Sequence, residues 1–135
     1  MRTIERAVIS ALASVFLIGS ASAADLTGAQ IKELTSGNTL YLENTAASTG
    51  GAGQGVIYYA ADGTVLFKTA KGPILHGTWT IKENTACVDW KEQPNNPCSR
   101  YDKQGDTITI INVATGQPRG KIVKTVAGNA EKIAP

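Results

Sequence analysis

The chain has few of the residues that most reactions and most charged partners require. It carries one histidine, His76, and two cysteines, Cys87 and Cys98. A closed zinc site takes four ligands, usually Cys and His, so no metal site is read from these three and no cofactor is expected. Charge is scarce and balanced, with 13 Lys+Arg against 11 Asp+Glu, which leaves no basic footprint for nucleic acid or for an acidic membrane surface. The one extended apolar run, Ala7 to Ile18, covers 12 residues and is interrupted by serines, whereas a membrane span needs ~20. Gly50 and Gly55 have the separation of a phosphate loop, but Val56 and Ile57 stand where that loop needs Lys and then Ser or Thr. The stretch therefore reads as a flexible loop and not as a phosphate cradle.

What is present begins with an address. Arg2 and Arg6 give a positive start, the apolar run follows, and Ala21-Ser22-Ala23 has the small-x-small form that signal peptidase accepts. Residues 1–23 are expected to be a cleavable secretory signal, and Ala24 occupies the position that a lipoprotein would give to cysteine. Residues 24–135 then form one domain of 112 residues, enough for a modest core. Without Arg2, Arg6 and Glu5 the remaining chain has 11 basic and 10 acidic residues. No membrane insertion is expected after cleavage. An exported chain meets an oxidising compartment, so Cys87 and Cys98 are expected to pair. The bridge would close a loop of 12 residues counted inclusively, worth ~3 kcal/mol on a chain-entropy estimate.

The first element after the leader is a short helix. Thr27 can cap it, Gln30 completes a capping box, Leu26 and Ile31 form a hydrophobic staple, and Gly37 stops it. Short strands separated by turn signals follow: Thr39 to Glu43, Gly55 to Ala60, Thr64 to Thr69, Ile74 to Ile81, Thr85 to Trp90, Thr107 to Val113 and Arg119 to Val126. Asp62-Gly63 is the strongest hairpin signal among them. This pattern predicts a mainly β fold: a small antiparallel β-meander of seven or eight strands, closed as a barrel or folded as a sandwich, with one short N-terminal helix.

Strand parity assigns faces. Leu75, Gly77, Trp79 and Ile81 share the core side, which leaves His76 facing solvent among threonines. Ala86, Val88 and Trp90 are expected inside, which puts Cys87 and Asp89 outside and makes the disulfide a brace on the outer wall. His76 reads as an exposed strand histidine, and Glu83, Asp89 and Glu92 as solubilising charges, so no catalytic residue is expected. Arg119, Lys121 and Lys124 in the last strand read as a solvated face that protects an edge. The aromatic residues are the candidates for ligand contact, because a small barrel either fills its interior with side chains or leaves room for one small ligand. Tyr58, Trp79 and Trp90 are the ligand-binding candidates.

The segments Leu26 to Ile31, Tyr58 to Thr64, Gly77-Thr78-Trp79, Cys87 to Trp90 with Cys98, and Gly128-Asn129 together resemble a family of small exported bacterial proteins of unknown function. The resemblance implies a calycin-like barrel and no established activity. The expected function is that of a periplasmic or secreted non-enzymatic domain that binds a small molecule or a protein partner, the latter through the loop Gln93 to Pro97. An envelope-associated structural protein is the alternative, followed by a hydrolase with an unseen site. Export is directly testable. Intact mass of the product recovered from outside the cytoplasm should correspond to a chain starting at Ala24, and a membrane-bound species that keeps Met1 would refute the cleavable signal.

Overall fold

The computed structural model describes residues 24–95 and 97–135. The expected signal, residues 1–23, lies outside the described residues, as does Asn96 within the expected loop Gln93 to Pro97. The elements run β1 (Ala24–Asp25), α1 (Gly28–Thr35), β2 (Asn38–Asn44), β3 (Gly53–Tyr59), β4 (Thr64–Lys68), β5 (Ile74–Lys82), β6 (Thr85–Trp90), β7 (Cys98–Gln104), β8 (Thr107–Asn112) and β9 (Pro118–Ala127). Each strand from β2 to β8 pairs antiparallel with the next, and β9 returns to pair with β2. The result is a closed eight-stranded up-and-down barrel. β1 is the extra strand: it lies beside the second half of β7, with Ala24 opposite Lys103, while β6 pairs with the first half.

Closure corrects the reading of β9 as a protected edge, since β9 is hydrogen-bonded on both sides. Lys121 stands opposite Glu43, and the Lys124 ammonium lies 5.3 Å from the centre of the Tyr41 ring. Both lysines are exposed on the outer wall. Arg119 is not on that face at all but lines the interior.

The meander places two sets of turns at opposite ends. At one end α1 packs against β2, β5 and β6. Its capping box forms as expected: Thr27 Oγ1 accepts from the Gln30 N–H and the Gln30 side chain accepts from the Thr27 N–H. Ile31 is fully buried in the core, which anchors a helix too short to be stable alone. The Gly28 N–H donates to Asn84 Oδ1 at 2.9 Å, and a Cβ on Gly28 would lie 2.1 Å from the Glu83 carbonyl oxygen. Only glycine lets the helix start dock on the β5–β6 turn. At the opposite end the connections after β2, β4, β6 and β8 surround the mouth.

Strand parity inside the barrel follows the expectation. Leu75, Trp79, Ala86, Val88 and Trp90 belong to the core, together with Leu40, Leu42, Ile57, Tyr59, Val65, Phe67, Tyr101 and Ile110. The sequence pattern marked neither the two-residue β1 nor, within the barrel, β7. Its residues, Cys-Ser-Arg-Tyr-Asp-Lys-Gln, include one large hydrophobic, Tyr101, so no apolar alternation announces it.

The C-terminal segment is tied to the wall. Thr39 Oγ1 donates to the Gly128 carbonyl and accepts from the Ala130 N–H, and the Asn129 side chain clasps Ile133 through both its N–H and its carbonyl. The Gly128-Asn129 pair thus has a mechanical role: a left-handed turn at Gly128, φ +78°, followed by an amide clasp.

Cys87 and Cys98 are bonded and stand directly opposite each other on β6 and β7. Cys87 alternates with the inward Ala86 and Val88, so the bridge braces the outer wall. Replacing both cysteines with serine should lower stability by about 2–4 kcal/mol. That corresponds to roughly 10–20 °C in Tm for a domain this size. Barrel circular dichroism should be retained, because the ring of strand pairs does not depend on the bridge. Thermal melts of the two proteins, with thiol titration of the unfolded wild type, decide the point, and an unchanged Tm would reduce the bridge to an incidental oxidation.

Candidate functional site

The interior is packed but not filled. A cavity of about 50 Å³ lies between β2, β3, β4, β6, β7, β8 and β9, walled by apolar side chains that include Leu42, Ile57, Phe67, Trp90 and Ile110. Beyond it, at the mouth, an open cleft of about 700 Å³ runs between the β2–β3, β6–β7 and β8–β9 connections. The two spaces share Ser48, Thr49, Pro97 and Arg119 at their boundary. The glycine-rich loop that resembled a phosphate loop thus leads from the rim of the mouth into β3. Gln93 of the β6–β7 connection reaches across to it, its Nε2 donating to the Thr49 carbonyl at 3.3 Å.

Arg119 reaches this boundary through a β-bulge. In the β8–β9 ladder Ile110 faces Gly120 and Ile111 faces Pro118, so Arg119 is the extra residue. A bulge re-aims the side chain it carries. Both Arg119 and its neighbour Gly120 consequently address the interior, although strict alternation would send one of them out. The guanidinium is half-buried. Its Nη1 donates to Thr49 Oγ1 at 2.9 Å, while its Nε is fully covered and has no hydrogen-bond partner among the described residues. Burial pulls its pKa below the ordinary arginine value, and the neighbouring Tyr59 and Tyr101 act in the opposite direction.

Asn44, at the end of β2, stands beside this arginine. It is 9% exposed, and its Nδ2 is also buried with no partner among the described residues. Two glycines make room for it. A Cβ on Gly55 would come within 2.7 Å of Asn44 Nδ2, and one on Gly120 within 2.6 Å of Asn44 Oδ1. Deeper in the cavity the Tyr59 and Tyr101 hydroxyls meet at 3.2 Å. Burial raises both phenols above their ordinary pKa, and proximity to Tyr59 raises Tyr101 further. They remain neutral hydrogen-bonding groups across the physiological range.

The three ligand-binding candidates are not brought together. Trp90 lines the cavity and packs 5.9 Å from Phe67. Trp79 lies in the core, its Nε1 donating to the Ala60 carbonyl at 2.9 Å and its ring set edge-on against Tyr59 at 5.4 Å. Tyr58 alternates with the inward Ile57 and Tyr59, which puts it on the outer wall, half-buried.

His76 is less free than its parity implied. Its Nδ1 lies 2.7 Å from Glu92 Oε1, and Glu92 also accepts from the His76 backbone N–H. That backbone bond, more than the ring, holds the Glu92 carboxyl below the usual carboxylate range. The pair sits on the outside, where it fastens the start of the β6–β7 connection to β5. Neither residue lines the cavity or the cleft.

Sequence reasoning missed Arg119, Asn44 and Tyr101 as interior polar groups. One signal was available for the first: glycine inside a strand marks a bulge or a close backbone approach, and Gly120 follows Arg119 directly. Comparison with known proteins returns no match, neither a family model nor a curated protein nor a solved structure. Among the described residues no helix is long and apolar enough to cross a membrane, and no group of three or more His, Cys, Asp or Glu could hold a metal ion.

The tyrosine pair can be tested by a double-mutant cycle. Tyr59→Phe and Tyr101→Phe alone each leave a buried hydroxyl without its partner and should cost about 1–3 kcal/mol. The double variant should lose clearly less than the sum. Urea unfolding measures all four proteins, and strict additivity would show that the hydroxyls do not support each other.

Proposed function

We propose that this protein is an exported, non-enzymatic binding domain whose small-molecule ligand enters through the barrel mouth. The observation that carries the reading is the continuity of an open cleft of about 700 Å³ with an interior cavity of about 50 Å³. A half-buried arginine stands where they meet. Ligand sites are concave, largely apolar and furnished with a few placed polar groups, and this mouth has those features. The size of the inner cavity sets the scale. It admits a few atoms, so most of the ligand lies in the cleft and only a small group enters the barrel.

Binding is favoured over catalysis by the lining. Among the described residues no carboxylate and no imidazole lines either space, so the Ser48 and Ser99 hydroxyls have no neighbouring base there to activate them. His76 and Glu92 form a pair outside the mouth. Export is supported by the Cys87–Cys98 bridge, which suits an oxidising compartment, and by the leader-like start of the sequence. Location in the periplasm or the medium belongs to the proposal. So does membership of a calycin-like exported family, which the eight-stranded meander with one end capped by a helix supports.

The test is a titration of the isotopically labelled protein, disulfide intact, with the dialysable fraction of extract from its native compartment. Saturable shifts in amide resonances around the mouth, at Thr49, Gln93, Asn112 and Arg119, are expected. Shifts confined to the outer wall, or none, would overturn the proposal. Mass spectrometry of the retained compound identifies the ligand.

A further inference from the structure

We infer that the neck of the barrel is a carboxylate site, in which one carboxylate group of the ligand accepts hydrogen bonds from Arg119 and Asn44 while the rest of the ligand lies in the mouth. The inference rests on the binding reading above and names the chemistry of its ligand. Its ground is a pair of buried donors that the fold leaves without partners. Arg119 Nε and Asn44 Nδ2 are both covered, both belong to residues lining the inner cavity, and neither has an acceptor among the described residues. Leaving a buried donor unsatisfied is costly, and far more so when it belongs to a charged group. The chain goes to some length to keep them there. A bulge turns Arg119 inward, and glycines at 55 and 120 clear the space that Asn44 occupies.

The sign and shape of the ligand follow. Both free groups donate, so the ligand must accept. The site holds one cation, and no carboxylate lines the cavity to neutralise it, so one negative charge on the ligand balances the site. A carboxylate is planar, carries a single charge and presents two oxygens to the guanidinium fork. A phosphate would bring up to two charges and a tetrahedral bulk to a single arginine. Space agrees: about 50 Å³ exceeds the roughly 10–15 Å³ that one water needs and suits a head group, but is far short of a lipid chain. The tyrosine hydroxyls below cap the cavity with neutral dipoles, and the cleft outside accepts whatever the carboxylate is attached to. A free organic acid and the C-terminal carboxylate of a short peptide share this chemistry.

The experiment uses the disulfide-intact protein and follows the Arg119 Nε–H and Asn44 side-chain amide resonances. The probes are butyrate, benzoate and trialanine, each paired with its neutral counterpart: butyramide, benzamide and C-terminally amidated trialanine. Inorganic phosphate is the control. At least one acid should give saturable shifts of both side-chain signals, and its amide should bind at least about tenfold more weakly. Binding by butyrate or benzoate assigns a free acid, whereas binding by trialanine alone assigns a peptide terminus. Arg119→Met should weaken the bound acid by roughly 10–100-fold. Arg119→Lys, which keeps the charge and loses the fork, should fall in between. A preserved amide spectrum shows in each case that the barrel is intact. Acids and amides binding alike, phosphate binding best, an Arg119→Met variant that binds as wild type, or no response of these two side chains to any acid would each overturn the carboxylate assignment. The binding reading stands or falls separately, on the titration with native extract.

Discussion

The return of β9 to β2 governs the rest of this molecule. Until those strands pair, the meander is an open sheet with two unsatisfied edges, and its inner face has nothing to enclose. Once they pair, every strand of the ring is hydrogen-bonded on both sides. The inward side chains of all eight strands then share one interior. The closing strand is also the irregular one. Register shifts on both of its sides let a ten-residue strand bend into place, and one of them delivers Arg119 to the inside. Closure and the polar feature of the mouth therefore have a common origin.

The two ends of the barrel are treated differently, and local chemistry explains why. The helix end is sealed by an amphipathic segment with its own caps, an apolar anchor at Ile31 and a glycine that allows backbone contact at Glu83. The other end is ringed by connections rich in small and polar residues, which can surround an opening but offer little apolar surface to close it. The disulfide and the Glu92–His76 pair both lie on or near the β6–β7 connection. One side of the mouth is thus fixed to the wall by a covalent bond and a charge-assisted hydrogen bond, while Thr49 and Gln93 tie it to the β2–β3 loop.

Within the interior, polar groups are graded by depth. The two phenols satisfy one another where water has least access, and burial keeps them neutral. Arg119 sits nearer the mouth, where its charge is partly solvated and one of its nitrogens is engaged by Thr49. A guanidinium placed deeper would meet a desolvation penalty that no neighbour here offsets, and one placed further out would be an ordinary surface charge. Its position between those limits is the property that a ligand could use.

Much of the architecture was legible in the residues. The capping box, the Asp62-Gly63 hairpin, the alternation in β5 and β6 and the cysteine pair are short-range patterns, and short-range patterns are written in order along the chain. Whether the meander closes was not, because barrel and sandwich ask the same alternation of each strand. β7 escaped notice since hydrophobic periodicity needs more than one apolar residue. Arg119 was misassigned because a bulge breaks the parity on which faces are read, and the pairing of Glu92 with His76 joins residues whose neighbourhood exists only once β5 and β6 are side by side. The sequence by itself determined most of the elements, their class and the pairing of the cysteines, because each rests on residues close together in the chain. Tertiary structure alone decided which polar groups share the interior, since that depends on the register with which distant strands meet.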